Sequence, residues 1–223
     1  MSVKENLAHI YEQIDKACEN CDRTRDDITI VAVTKYVSNE RAKEAVEAGI
    51  QDLGENRKEG FLEKYEAIGD RARWHFIGSL QSRKVKEVID YIDAIHSLDR
   101  KSLAKEINKR AQEPVDCFVQ VNVSGEESKH GLAVDEVEDF IDMLKAYENV
   151  RVVGLMTMAP HTEEEERLRG VFRQLRALRD IIRDKHLPHA PCEHLSMGMS
   201  NDYAIAIEEG ATHIRIGSKL VGG

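Results

Sequence analysis

Two short segments near the end of the sequence combine glycine with hydroxyl side chains. They are Ser196-Met197-Gly198-Met199-Ser200 and Arg215-Ile216-Gly217-Ser218. Glycine lets backbone N–H groups approach an anion closely, serine hydroxyls add donors, and a following helix N-terminus adds a favourable dipole. This composition is typical of a phosphate site. Two ordinary tight turns with a serine helix cap are the alternative interpretation.

Lys35 is the first charged residue after the apolar run 28–33. A desolvated lysine loses its proton more easily, and its amine can then attack a carbonyl carbon to form a Schiff base. The alternative is a lysine at the end of a strand whose amine simply reaches water. Lys35 is therefore a candidate nucleophile whose role depends on where the fold places it.

The elements that must position these residues repeat in a strand–helix order. An amphipathic helix is predicted over 3–21, and eight short apolar runs predict strands. The predicted strands are 28–33, 52–54, 74–77, 94–98, 115–123, 151–156, 192–197 and 212–216, and the helices between them lie near 38–48, 57–68, 81–90, 100–111, 134–146, 163–185 and 201–209. Alternating strands and helices imply parallel pairing through right-handed crossovers. Eight units predict a single α/β domain over residues 1–223, a (β/α)8 barrel of the TIM type with an extra N-terminal helix.

An open doubly wound sheet is the alternative architecture, but no G-x-G-x-x-G motif follows the first strand. In a barrel, the loops after the strands build the active face. Lys35 follows the first strand, and the two glycine–serine segments follow the seventh and eighth. Their meeting at one mouth points to a phosphorylated aldehyde, either pyridoxal phosphate or a sugar-phosphate aldol substrate.

Composition limits the other function classes. The 41 acidic residues exceed the 32 basic ones, and a net charge of −9 argues against a nucleic-acid partner. No apolar run approaches the roughly 20 residues that span a bilayer, and the N-terminal residues lack a signal-peptide core. We therefore expect a cytoplasmic protein with no membrane partner.

Two further patterns have structural interpretations. Cys18 and Cys21 form a C-x-x-C, but both lie on the apolar stripe of the first helix, so we expect buried thiols rather than a redox or metal site. His186 and His189 with His194 have a metal-like spacing, but prolines interrupt the segment and no carboxylate pair completes it. We expect no metal.

Eight motifs along nearly the whole chain occur in an order that matches a known family. They are Ala32-Val33-Thr34-Lys35, Gly54-Glu55-Asn56, Trp74-His75-Phe76-Ile77-Gly78-Ser79-Leu80-Gln81, Gln120-Val121-Asn122-Val123, Ser128-Lys129-His130-Gly131, Gly154-Leu155-Met156, Leu195-Ser196-Met197-Gly198-Met199-Ser200 and Arg215-Ile216-Gly217-Ser218. With them the chain resembles the pyridoxal phosphate homeostasis proteins (the YggS/PROSC family), which are similar to the barrel domain of alanine racemase.

The resemblance implies a set of residues that bind pyridoxal 5'-phosphate: Lys35, Asn56, His75, Ser200, Arg215, Gly217 and Ser218. It implies that Lys35 holds the cofactor as a Schiff base, that the residues of the last two loops hold its phosphate, and that Arg215 faces the pyridine nitrogen. An arginine there leaves the nitrogen unprotonated, because two neighbouring positive charges are disfavoured, and this weakens the ring as an electron sink.

The resemblance also implies a carrier rather than an enzyme: a protein that contributes to intracellular pyridoxal phosphate homeostasis, with apo-enzymes that need the cofactor as possible recipients. Similar racemases have a second, dimerising domain that supplies a tyrosine base, and racemisation needs an acid/base group on each face of the substrate. This sequence ends soon after the eighth strand, so we expect a monomer without that base. A weak racemase or lyase is the alternative, and it would need Tyr36, Tyr203 or His75 as the second base. A docking module that hands over the cofactor is a third hypothesis.

Overall fold

The short β-branched runs of the sequence form eight parallel strands that close into a barrel. The computed structural model describes residues 1–127 and 129–222. The strands are β1 Thr29–Val33, β2 Asp52–Glu55, β3 Arg73–Phe76, β4 Ala94–Leu98, β5 Val115–Gln120, β6 Val150–Met156, β7 His194–Met199 and β8 His213–Ile216. They pair in chain order, and β8 closes on β1 with Arg215 beside Val31. The predicted TIM-type barrel is confirmed.

Helices cover the outside of the barrel. In the described part of the chain the α-helices are α1 Val3–Glu19, α2 Asn39–Glu47, α3 Lys58–Ile68, α4 Val85–Val88, α5 Lys101–Arg110, α6 Val137–Leu144, α7 Glu165–Arg183, α8 Tyr203–Glu208 and α9 Ser218–Val221. The extra helix α1 begins with a capping box in which Ser2 and Glu5 exchange side-chain and backbone hydrogen bonds. It packs against α8 and α9, and the amide of Asn6 donates to the carbonyl of Leu220 at 2.9 Å. None of the described helices is long and apolar enough to cross a membrane.

Three predicted elements differ from the structure for a clear local reason. The helix expected near 81–90 is only the single-turn α4 between two 3-10 turns, because Val88 leaves the helical conformation and lets Ile89 pack into the core. The strand expected over 115–123 ends at Gln120, after which Val121 pairs with the loop residue Leu132. The strand expected from 192 begins at His194, since Cys192 has a φ of +48° and cannot extend the strand.

The barrel has two buried regions, an apolar one outside the strands and a partly polar one inside them. The large apolar core lies between strands and helices and contains Trp74, Phe76 and Ile95. Inside the strands, a small apolar cluster of Ala94, Phe118, Val153 and Met156 shares the space with buried polar side chains. Residues alternate between these two sides along each strand. The buried polar side chains of the strands therefore point into the barrel, because their chain neighbours fill the outer core; they are Asp52, His75, His96, Ser196 and Arg215.

All four cysteines are free thiols. Cys18 is buried, as expected, and so are Cys117 and Cys192; Cys21, which was also expected to be buried, is half-buried, with its thiol donating to the carbonyl of Ala17 at 3.2 Å. Burial raises the pKa of Cys192 to about 12 and also raises that of Cys18. The thiols therefore stay protonated at neutral pH.

Candidate functional site

A cleft of about 450 Å³ opens where β1 and β8 end. It is lined by Val33, Lys35, Tyr36, Val37, Gly217, Ser218, Val221 and Gly222. The structure thus brings the candidate lysine together with two of the three predicted phosphate-binding residues. The volume suits one small ligand.

Lys35 lies in the turn after β1. Its side chain is exposed, its Nζ lies 4.9 Å from the ring centroid of Tyr36, and no carboxylate of the described residues pairs with it. By contrast, Lys129 is held by Glu126, with Nζ 2.5 Å from the carboxylate. The Lys35 amine is therefore free to meet a ligand that enters the cleft.

The turn that carries Lys35 is anchored from below by a buried ion pair. Thr34 donates through Oγ1 to Glu55 Oε1 at 2.6 Å, and the same oxygen lies 3.2 Å from Nζ of Lys64. All three side chains are buried, and α3 comes close enough because it has Gly60 where it faces Glu55. The pair fixes the residues that directly precede Lys35 and Asn56. The sequence carried one signal of it: Lys64 lies on the apolar stripe between Phe61 and Ile68.

The loops after β7 and β8 contact each other through Ser200 and Gly217. The backbone N–H of Gly217 donates to Ser200 Oγ at 3.3 Å. Gly198, the penultimate residue of β7, lies where the pairing with β8 is irregular; its φ is +95°, and a Cβ there would lie 2.6 Å from that of Ala206. Because α8 and α9 are short, hydroxyls and backbone N–H groups are the main donors that these loops offer to an anion.

Arg215 lies in the barrel interior and is almost fully buried. Its Nη1 donates to Ser196 Oγ at 2.5 Å, and its Nη2 donates to the carbonyl of Thr157, just after β6, at 3.0 Å. Burial lowers its pKa to about 10. The guanidinium therefore keeps its positive charge at neutral pH, inside a protein whose net charge is −9.

Asn56 and His75 do not line the cleft. Asn56 packs against the loop after β3, where a Cβ on Gly78 would lie 2.6 Å from Asn56 Cβ. His75 lies deeper in the barrel, and both of its ring nitrogens are occupied: Nε2 lies 2.8 Å from Asp52 Oδ1, and Nδ1 lies 2.8 Å from His96 Nε2.

The partners of Arg215 were not predicted. Ser196 belonged to a segment expected to bind phosphate, and no role was expected for His96 or Thr157. One signal was available, since Ser196 is a polar residue between Leu195 and Met197 in a run that is otherwise apolar. Among the described residues, no group of three His, Cys, Asp or Glu side chains is arranged to hold a metal ion.

Comparison with known proteins gives the family. The family described as "Alanine racemase, N-terminal domain" matches residues 6–223. A protein of Aquifex aeolicus named pyridoxal phosphate homeostasis protein is 43% identical over 226 residues, which cover 100% of this chain and 98% of that protein. The Escherichia coli K12 protein of the same name is 32% identical over 227 residues, covering 99% of this chain and 96% of that protein. This chain belongs to the pyridoxal phosphate homeostasis protein family.

Solved structures agree with this assignment to the pyridoxal phosphate homeostasis protein family. PipY of Synechococcus elongatus, solved with pyridoxal phosphate bound, superposes with a TM-score of 0.85 at 27% identity and covers 99% of this chain and 100% of that chain. Alanine racemase of Corynebacterium glutamicum has a TM-score of 0.71 at 16% identity, with 97% of this chain and 60% of that chain covered, which shows a shared fold. The resemblance inferred from the sequence motifs is confirmed.

Proposed function

We propose that this protein binds pyridoxal 5'-phosphate as a Schiff base on Lys35 and contributes to the homeostasis of that cofactor in the cytoplasm, with no strong catalysis of its own. The observation that carries the proposal is the cleft in which the Lys35 amine, which pairs with no carboxylate of the described residues, and the Gly217–Ser218 loop face the same space. The names of its relatives and the pyridoxal phosphate in the PipY structure support it.

The residues present fit this cofactor. Its aldehyde carbon takes the amine nitrogen of Lys35, and one water leaves as the imine forms. Ser200, Gly217 and Ser218 offer hydroxyl and backbone donors for its phosphate, as two touching loops do in other anion sites. Arg215 stays positively charged at neutral pH. Placed beside the pyridine nitrogen, this charge would disfavour protonation of the ring.

Asn56 and His75 complete the proposed cofactor-binding set in different ways. Asn56 lies next in the chain to the anchored Glu55, so its backbone is fixed at the end of β2. His75 belongs to the set through its hydrogen-bonded neighbours rather than by direct contact, because Asp52 and His96 occupy both ring nitrogens.

A carrier role is favoured over racemisation, because none of the three candidate residues is well suited to act as the second base. Tyr203 is buried, which raises the pKa of its hydroxyl, and it is therefore a poor base at neutral pH. The ring nitrogens of His75 are occupied, and Tyr36 lies beside Lys35, which already supplies one base. An unprotonated pyridine nitrogen would further weaken carbanion chemistry. We propose that apo-enzymes receive the cofactor from this protein.

The whole chain is proposed to act as one cofactor-binding domain and as a monomer. Lys35, Ser200, Gly217 and Arg215 all come from a single barrel, so the cleft needs no residue from a second copy. Light scattering of the purified protein with and without pyridoxal phosphate tests this. A dimer in both states would contradict it.

The proposed binding is tested by titrating the protein with pyridoxal phosphate and recording the visible absorption band of the imine. Wild type and Lys105→Ala, which removes an exposed lysine on α5, should show the band. Lys35→Ala should lack it. Failure of wild type to bind one equivalent contradicts the proposal.

The proposed lack of catalysis has its own experiment. The loaded protein is incubated with D- and L-amino acids in deuterated water, and exchange of the Cα proton is followed by NMR. Exchange no faster than with free pyridoxal phosphate is expected. Faster exchange that disappears in Lys35→Ala would establish the alternative, a weak racemase or lyase.

A further inference from the structure

A row of buried polar side chains crosses the inside of the barrel from β2 to β8. Nε2 of His75 lies 2.8 Å from Asp52 Oδ1, and Nδ1 of His75 lies 2.8 Å from Nε2 of His96. Nδ1 of His96 lies 2.8 Å from Ser196 Oγ, which accepts from Arg215 Nη1 at 2.5 Å. These five side chains come from five different strands and are all buried.

The two ends of the row fix its direction. A guanidinium can only donate hydrogen bonds, and a carboxylate can only accept them. Ser196 therefore accepts from Arg215 and can donate its own proton to His96 Nδ1. His96 then donates from Nε2 to His75, and His75 donates from Nε2 to Asp52. Each of the four ring nitrogens in the row then has one role and one partner.

The charge states agree with this direction. Burial holds the pKa of His96 well below its usual value, so this ring is neutral. Burial alone would raise the pKa of Asp52, but hydrogen bonds from His75 and Arg73 outweigh it and lower that pKa. Asp52 is therefore the carboxylate that ends the row.

Both ends are also held from outside the row. At the Asp52 end, Arg73 donates from Nε and Nη2 to the two carboxylate oxygens, at 2.9 and 2.7 Å. At the other end, the second amino group of Arg215 donates to the carbonyl of Thr157. A planar guanidinium held at both amino groups can neither rotate nor swing away.

We propose that Ser196, His96 and His75 are positioning residues that hold the Arg215 guanidinium in one orientation toward the bound cofactor. The part that concerns the cofactor rests on the proposed function. Removing a link frees one amino group of Arg215, so the guanidinium becomes mobile beside the cofactor ring. Cofactor affinity and the electronic spectrum of the bound cofactor should then change together.

The direction of the row is tested on the protein without cofactor. Nitrogen-15 NMR of the histidine side chains distinguishes protonated from unprotonated ring nitrogens, and the signals of His96 are assigned by their loss in His96→Phe. We expect the proton of His96 on Nε2. A proton on Nδ1 would overturn the direction derived above.

The effect on the cofactor is tested with two matched variants. Ser196→Ala removes the link to Arg215. Ser97→Ala removes a neighbouring buried hydroxyl that has no hydrogen-bond partner among the described residues. We expect Ser196→Ala to bind pyridoxal phosphate about tenfold more weakly, since bonds to charged groups are stronger than neutral ones, and to shift the visible band. Ser97→Ala should leave both unchanged.

A folded Ser196→Ala protein with wild-type affinity and spectrum would overturn the positioning role. Should Ser196→Ala not fold, His96→Phe takes its place, because a phenyl ring can keep the stacking of His96 on Phe118, whose centroids are 4.2 Å apart. It should shift the band in the same direction. If wild type takes up no pyridoxal phosphate, the proposed function fails, and the NMR result alone decides whether the row is oriented as described.

Discussion

Several side chains of the barrel interior carry polar or charged groups away from water. Arg215 is a buried cation, His96 is a buried neutral ring, and His213 is a half-buried neutral ring. Such groups need partners, since an unpaired buried polar group costs free energy. Arg215 and His96 are hydrogen-bonded to the same residue, Ser196, in one row of side chains. A substitution at one residue of the row should therefore alter the hydrogen bonds of the next.

The neutral histidines make the protein sensitive to acid. Burial is the main cause that lowers the pKa of His213 to about 3; the neighbouring His194, His75 and Arg73 act in the same direction, and Asp52 opposes the shift. An unfolded histidine binds its proton near pH 6.5. Between about pH 6.5 and 3 the unfolded state thus binds more protons, and stability falls as the pH is lowered.

This sensitivity is measured by urea unfolding at pH 7 and pH 5. His213→Asn should lose less stability between the two values than wild type. His9→Asn, which changes an exposed ring, should behave as wild type. Equal losses in wild type and His213→Asn would show that His213 does not contribute.

At the scale of elements, the site depends on how one helix and two loops are fixed. The Glu55–Lys64 pair joins α3 to β2 and holds the turn of Lys35 through Thr34. Gly198 permits the loop after β7 to turn toward β8. Neither feature touches the cleft, yet both set the position of residues that do.

Breaking the buried ion pair should be costly. Lys64→Met leaves Glu55 buried without its cation, and removal of one partner of such a pair typically costs about 3–5 kcal/mol. Lys58→Met on the same helix breaks the partly exposed pair with Glu87 and should cost far less, because ion pairs in contact with water contribute little to stability. Urea denaturation measures both. Similar losses in the two variants would contradict an anchoring role for Lys64.

The turn at Gly198 offers a second comparison within the chain. Gly198→Ala puts a Cβ against Ala206 in a left-handed conformation, which should cost about 1–3 kcal/mol and weaken cofactor binding. Gly170→Ala, in the middle of α7 and with open space around the new Cβ, should stabilise by up to about 1 kcal/mol. Stability is read from urea unfolding and binding from the titration. A Gly198→Ala protein as stable as wild type would show that the loop can rearrange.

At the scale of the whole molecule, the cleft lies where the first and last strands of the barrel meet. Residues 33–37 and 217–222 form its walls, and β1 pairs with β8 beneath it. A ligand held by both walls joins distant parts of the chain. Binding should therefore oppose unfolding of the entire barrel.

This coupling predicts a stability gain that follows mass action. With free pyridoxal phosphate at 100 times its dissociation constant, the free energy of unfolding should rise by about 2.7 kcal/mol. The gain is measured by urea unfolding with and without the cofactor. No gain in wild type under saturating cofactor would contradict binding to the folded cleft, and Lys35→Ala should gain less.

Features that depend on residues close together in the sequence were predictable, and contacts between residues far apart in the sequence were not. The β-branched run of β1 and the regular alternation after it predict a barrel, and the barrel rule places Lys35 and Gly217 at one mouth. The bond between His96 and Ser196 joins residues 100 positions apart. It depends on the register of strands that do not neighbour each other, which no local pattern encodes.

The same reason explains the local failures. The segment near 81–90 has helical periodicity, but tertiary packing of Ile89 limits it to one turn. The structure shows that Asp52 and His96 engage both ring nitrogens of His75, and its role in cofactor binding stays a prediction. Side-chain direction inside a barrel follows from strand register, so it could only be read from the structure.

The central claim is that Lys35 carries the cofactor, and one measurement tests it most directly. Protein incubated with pyridoxal phosphate is reduced with borohydride, which makes the imine permanent, and the modified lysine is located by peptide mapping. The account predicts modification at Lys35 with one cofactor per chain. Modification spread over exposed lysines, or located at another single lysine, would contradict it.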